Sequence, residues 1–175
     1  LDVANLGGDS RLDLIVGGIT RGYAIPSNTG TSLAFSTNST YGSKSNRHVI
    51  SGDLDNDGDD DIISGNGYAI YIYQNNDATT TDWSSYSLTS IKGDISLGDL
   101  NNDGYLDIVA TNRDTINIFI NSGSTTLSFT KTNIIRPGLN MQYDVKMVDF
   151  DGDGYLDLIG SYDGSSAFYV SRNNL

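Results

Sequence analysis

Cysteine is absent from the 175 residues, and so is glutamate, because all 22 acidic residues are aspartate. The first absence removes disulfides, thiol nucleophiles and cysteine-ligated zinc. The second removes every mechanism that needs a glutamate. His48 is the only imidazole, so a Ser-His-Asp arrangement would depend on one residue at the edge of an expected strand. Basic residues number ten and nowhere cluster, which argues against a nucleic-acid partner. No run approaches the roughly 20 apolar residues of a membrane span. Alanine is scarce, and Ser, Thr, Asn, Gly and Tyr dominate, so helix is not expected. The chain opens on Leu1, with neither an initiating Met nor a signal peptide, as expected of a processed or excised segment.

What is present is acidic, glycine-rich and apolar enough to fold. The net charge is −12 and 37% of the residues are hydrophobic, a balance that excludes disorder. The length suits one ordinary domain.

The strongest signal is internal repetition. Three segments align without gaps: Gly52-Asp-Leu-Asp-Asn-Asp-Gly-Asp-Asp-Asp-Ile-Ile63, Gly98-Asp-Leu-Asn-Asn-Asp-Gly-Tyr-Leu-Asp-Ile-Val109 and Val148-Asp-Phe-Asp-Gly-Asp-Gly-Tyr-Leu-Asp-Leu-Ile159. A weaker copy opens the chain as Ala4-Asn-Leu-Gly-Gly-Asp-Ser-Arg-Leu-Asp-Leu-Ile15. Their last aspartates, Asp13, Asp61, Asp107 and Asp157, lie 48, 46 and 50 residues apart.

The complete units carry four strand signals each. In the second, Val49-Ile50 leads into the acidic loop and 61–65 leaves it. Residues 68–75 follow as a β-branched and aromatic run, and 83–88 form a last alternating strand. The third unit offers 95–97, 106–110, 115–121 and 127–129; the first offers 3–4, 12–16, 23–25 and 33–35. Four short antiparallel strands per 40–50 residues is the arithmetic of a β-propeller blade. A flat sandwich or a parallel solenoid keeps this pitch less well. The expected fold is therefore an all-β propeller, with blades at about 1–47, 48–93, 94–143 and 144–175. The fourth unit stops after 167–170 without an outer strand. Either four units form a small ring, or further sequence or another subunit completes a larger one; the second is the expectation here.

The loops place oxygens at positions 1, 3, 5 and 9, with a backbone carbonyl available at position 7. The candidate ligands are Asp53, Asp55, Asp57, the Asp59 carbonyl and Asp61. The third unit supplies Asp99, Asn101, Asp103, the Tyr105 carbonyl and Asp107. The fourth supplies Asp149, Asp151, Asp153, the Tyr155 carbonyl and Asp157. Gly58, Gly104 and Gly154 sit where the chain must turn sharply. All-oxygen anionic sites suit Ca²⁺ better than Mg²⁺, which demands a stricter octahedron and keeps its waters. Two carboxylates 4 Å apart repel by about 4 kcal/mol at a dielectric near 20, so such loops favour a counter-ion. About three Ca²⁺ sites are expected. An EF-hand is excluded, because position 12 is Ser64, Ala110 or Gly160 rather than glutamate and the flanks are strands. The first loop, Asn5 to Asp13, has Gly7 at position 3 and Ser10 at position 6, and is expected to be empty or weak.

In this context the three loops resemble the FG-GAP and VCBS repeats of integrin-α-like β-propellers, over essentially the whole chain. The Phe-Gly and Gly-Ala-Pro landmarks of that repeat are not evident here. The resemblance implies Ca²⁺ in the hairpin between the first and second strands of a blade. It also implies extracellular or cell-surface residence and a role in adhesion or recognition. Related propellers serve as integrin heads, lectins, toxin parts and modules of polysaccharide-degrading enzymes. The usual ring has seven blades, from which a four-unit chain departs.

Three functional readings follow. The first is a non-catalytic module that binds a glycan or an extracellular protein; eleven tyrosines and Trp83 offer suitable planar faces. The inter-blade stretches 36–47 and 131–143, with Arg136, Asn140 and Gln142, are the candidate recognition loops. Tyr68, Tyr71 and Tyr73 are expected to pack between blades. The second is a structural subunit of an extracellular assembly, including a homo-oligomer. The third is an accessory propeller of a polysaccharide-degrading enzyme. Intrinsic catalysis is not expected, because the loops already account for many of the aspartates that could act as a pair.

Overall fold

The computed structural model describes residues 1–6, 12–17, 23–28, 35–41, 48–76, 83–89, 93–135, 144–161 and 168–173. Fifteen strands, and no helix, occur among them. They fall into two compact units, Leu1–Ser90 and Ile91–Leu175.

In the first unit the most regular sheet is built from β5 (His48–Gly52), β6 (Asp61–Gly65), β7 (Ala69–Asn75) and β8 (Trp83–Thr89), which pair in that order. Every residue of β6 is buried, as befits a strand covered on both faces. In β7 burial alternates, with Ile70 and Ile72 fully enclosed. The register sets Ile63 against Ile72 and Gly52 against Asp61. Before this sheet come two hairpins. One joins β1 (Asp2–Ala4) to β2 (Asp13–Ile15); the other joins β3 (Tyr23–Asn28) to β4 (Phe35–Tyr41).

A single four-stranded blade is the sequence expectation for this first repeat; among the described residues it shows these two ladders, with β2 lying against β3. Within the second hairpin the pairing slips between Ile25 and Ser27, at Pro26, which has no N–H to donate.

In the second unit β9 (Ile95–Gly98), β10 (Asp107–Asn112), β11 (Thr115–Asn121) and β12 (Phe129–Ile135) form another four-stranded antiparallel sheet. The last sheet has β13 (Val145–Val148), β14 (Asp157–Ser161) and β15 (Phe168–Ser171), with no fourth strand among the described residues. Its Val145 and Leu158 pack with Leu100, Val109, Ile116 and Ile118 of the preceding sheet. In the first unit Ala4, Leu6 and Ile15 pack likewise on Ile62. Successive antiparallel sheets stacked through apolar faces are the construction of a β-propeller.

Three sequence readings are corrected. The outer strand of the third repeat lies at Phe129–Ile135, not at 127–129; Leu127 is instead a buried anchor of the preceding turn. Residues 36–41 and 131–135 are strand rather than recognition loop, while 42–47 and 136–143 lie outside the described residues. Tyr68 precedes β7 and is 79% exposed, whereas Tyr71 and Tyr73 are half-buried as expected.

Candidate metal centre

Each acidic loop joins the first strand of its sheet to the second, at residues 53–60, 99–106 and 149–156. Their backbones repeat the same two left-handed residues. At position 4, Asn56, Asn102 and Gly152 have φ of 58°, 57° and 80°. At position 6, Gly58, Gly104 and Gly154 have φ of 99°, 90° and 89°. Glycine adopts this region without cost, and asparagine tolerates it better than most residues. The need at position 6 is legible in the sequence. That at position 4 is written there too, as Asn, Asn and Gly, but it is not part of the ligand pattern.

The aspartates hold this backbone through their own hydrogen bonds. Asp53 accepts the amides of Asp57 at 3.2 Å and Gly58 at 2.9 Å. Asp99 accepts those of Asp103 at 3.0 Å and Gly104 at 2.8 Å. Asp149 accepts those of Gly152 at 2.7 Å and Gly154 at 3.0 Å. At position 5, Asp57, Asp103 and Asp153 each accept the amide two residues on, from Asp59, Tyr105 and Tyr155, at 3.0, 2.9 and 2.9 Å. The three loops therefore have one shape, and the residues at position 7 are fixed through their amides.

Position 9 has a further role. Asp61, Asp107 and Asp157 are completely buried. One oxygen of each accepts the amide of position 2, from Leu54 at 2.8 Å, Leu100 at 2.9 Å and Phe150 at 3.2 Å. The other accepts the amide of an asparagine that ends the third strand or follows it: Asn75, Asn121 or Asn173, each at 2.8 Å. Asp13 of the first loop takes part in the same way among the described residues, with Leu6 donating to it at 3.2 Å. Sequence reasoning reads these aspartates as candidate ligands but misses that they staple loop to sheet. It also misses the asparagines, whose only signal is their recurrence 14, 14 and 16 residues after the aspartate. Two of them reach the previous sheet as well. Asn75 Nδ2 donates to the Leu6 carbonyl at 2.9 Å and Asn173 Nδ2 to the Leu100 carbonyl at 2.7 Å.

Among the described residues, two groups of carboxylates converge closely enough to share a cation. Asp53, Asp55 and Asp61 each bring an oxygen within 4.8 Å of the others, and Asp149, Asp151 and Asp153 do the same. In the third loop the amide of Asn101 stands at position 3 and donates to Asp103 at 2.8 Å. In the second loop Gln74 Nε2 donates to Asp55 Oδ2, while the buried Asp55 Oδ1 has no hydrogen-bond partner. A buried carboxylate oxygen left bare beside two other carboxylates is a position that a hard cation fits.

Burial pushes the carboxyl of Asp61 up to about 7, against the pull of the Asn75 and Leu54 amides, and the charges of Asp55 and Asp57 add to the rise. Burial likewise raises Asp55; the Gln74 side chain and the Asp57 backbone amide oppose it, and the charges of Asp57 and Asp53 reinforce it. Asp107 is raised by burial despite the amides of Asn121 and Leu100. Arg172 supplies local positive charge in the fourth loop, 3.3 Å from Asp151. His48 opens β5, half-buried.

The FG-GAP-like repeat model matches residues 53–109 and 99–160, more than half of the chain. The chain belongs to the FG-GAP-like repeat family. Each match starts on position 1 of one loop, at Asp53 or Asp99, and ends just past position 9 of the next. The family pattern thus contains the loops whose geometry repeats. No curated protein sequence matches this FG-GAP-like chain. Among solved structures it is similar to an Agrocybe aegerita lectin described as specifically recognising non-reducing terminal N-acetylglucosamine. The identity is 20% and the TM-score 0.64, over 99% of this chain and 49% of that one. The FG-GAP-like chain therefore spans about half the length of that lectin. At this identity the likeness is one of fold.

Proposed function

We propose that the chain is a calcium-stabilised recognition module that works outside the cell, binds a glycan or a protein partner, and catalyses no reaction itself. The observation that carries this reading is the bare, buried Asp55 Oδ1 within a three-carboxylate cluster, in a loop whose shape recurs twice along the chain. Hard oxygen donors of this kind suit Ca²⁺.

In the second loop Asp53, Asp55, Asp57 and Asp61 would hold the ion, with the Asp59 carbonyl. In the third the set would be Asp99, Asn101, Asp103, Asp107 and the Tyr105 carbonyl. In the fourth it would be Asp149, Asp151, Asp153, Asp157 and the Tyr155 carbonyl. The ion would supply charge neutralisation and cross-linking of the hairpin tip. The chain's own residues already do the shaping: positions 1 and 5 fold the tip, and position 9 ties it to the third strand.

A cage filled by protein oxygens leaves no open position for a substrate, which supports a structural metal rather than a catalytic one. The FG-GAP-like repeats and the fold shared with a lectin support recognition, with a glycan as the first partner to test. The test is a glycan array that includes terminal N-acetylglucosamine, run in millimolar calcium and again in EDTA. The expected result is retention of a defined glycan class in calcium, lost in EDTA. Turnover of an arrayed polysaccharide, rather than its retention, would contradict the reading.

A further inference from the structure

The residue before each stapling asparagine is Gln74 in β7, Ile120 in β11 and Arg172 just after β15. Its character follows that of loop position 3. In the second repeat position 3 is Asp55, and Gln74 Nε2 donates to its Oδ2. Gln74 Oε1 in turn accepts the Tyr86 hydroxyl of β8 at 3.0 Å, which holds the amide in that orientation. In the fourth repeat position 3 is Asp151, and Arg172 Nη1 lies 3.3 Å from its Oδ2. In the third repeat position 3 is Asn101, which carries no charge and donates to Asp103. The matching residue there is Ile120, which has no side-chain donor and packs against the apolar core instead. A donor thus stands beside position 3 where that position is a carboxylate, and an apolar side chain where it is not.

The two donors differ in charge, and the difference bears on any cation that the loops take. Gln74 orients Asp55 without cancelling its charge, and the buried Asp55 Oδ1 has no hydrogen-bond partner. Residues 53–61 hold six aspartates and no basic residue, so that stretch brings no compensating charge of its own. Residues 149–157 hold four aspartates, and the guanidinium of Arg172 sets a fixed positive charge against Asp151. Arginine stays protonated in proteins, so this charge cannot be shed when a metal arrives. A cation entering the fourth loop is repelled by it and has to share Asp151 with it. Solvent weakens the repulsion without removing it, because the Arg172 side chain is 60% exposed but that of Asp151 only 24%.

We propose that the residue before the stapling asparagine sets how strongly each loop binds calcium. Gln74 is a positioning residue that holds Asp55 for the ion and makes the second loop a high-affinity site. Arg172 is a resident counter-charge that makes the fourth loop a low-affinity one. This rests on the calcium reading given above and adds an order among the loops. Positions 1, 3, 5 and 9 are aspartate in both the second loop and the fourth, so the ligand pattern alone would make the two equal.

Isothermal titration calorimetry with calcium chloride, on the metal-stripped chain and three variants, tests this. Wild type should bind calcium unequally, with at least one tight site and one weak one. Arg172→Gln, which gives the fourth loop the residue of the second, should tighten the weak site about tenfold through loss of a unit charge beside a divalent ion. Gln74→Arg should weaken the tight site by a similar factor. Arg172→Lys keeps the charge and should keep the wild-type isotherm. Wild-type affinities in Arg172→Gln would overturn the proposal, and so would an Arg172→Lys isotherm shifted as far as that of Arg172→Gln. The Arg172 side chain is largely exposed, so its variants decide the matter even where Gln74→Arg disturbs packing; far-UV circular dichroism checks the fold of each. No calcium binding by wild type or any variant would instead overturn the calcium reading, and this order of affinities with it.

Discussion

Within the loops, aspartates that look alike in the sequence do different work. Asp61 has both oxygens committed to backbone amides, whereas one oxygen of Asp55 is buried and bare. The two predict opposite responses to the same substitution. Asp61→Asn turns an acceptor into a donor against a backbone N–H and leaves buried groups unsatisfied, at a cost of about 1–3 kcal/mol. That loss should show in urea unfolding in EDTA as clearly as in calcium. Asp55→Asn removes a repelled charge, so the metal-free protein should be as stable as wild type or slightly more so. What it should lose is the stabilisation by calcium from that loop. Equal losses for both variants, present only with calcium, would mean that the buried aspartate acts solely as a ligand.

For the elements, the strands that are legible in the sequence are those with two covered faces or a strict alternation. β6 runs from Asp61 to Gly65 and β11 from Thr115 to Asn121, as their apolar and β-branched runs predict. β12 is less legible because it is nearly all exposed, and a solvated outer strand carries no hydrophobic period. Leu127-Ser-Phe129 imitates one, but Leu127 faces inward from a turn. The shape of the acidic loops is legible because charge, glycine and spacing coincide. The asparagine partners at the third strand are not, since their meaning depends on a ladder that only folding brings together. β15 offers a test of the packing. The Tyr169 hydroxyl is buried without a hydrogen-bond partner, and a Cβ at the facing Gly160 would lie 2.3 Å from it. Burial, with the Asp144 charge nearby, pushes Tyr169 from 10.0 up to about 12. The unfolded chain gives up this proton first as pH rises, so the contribution is complete below pH 10 and is lost between pH 10 and about 12. Unfolding midpoints should fall over that interval, and Tyr169→Phe should flatten the fall. Tyr73, also raised by burial, should account for part of the remaining slope. An identical slope in the variant would show that the hydroxyl is solvated.

Taken as a whole molecule, a chain of −12 net charge and no glutamate folds with carboxylates gathered at the tips of its hairpins. Backbone amides satisfy some of their oxygens, but amides cannot cancel the charge. On the reading proposed above, a divalent ion would do so at the place where the repulsion is greatest, and would bind the folded state alone. Such binding stabilises by RT ln(1 + [L]/Kd), about 2.7 kcal/mol at a hundredfold excess over Kd. For a chain of this length that corresponds to a rise in melting temperature of about 5–10 °C per occupied site. The most direct test is the melting temperature of the metal-stripped protein during a calcium titration into the millimolar range. A saturable rise that EDTA reverses is the predicted result; one melting temperature under all these conditions would contradict a structural role for calcium.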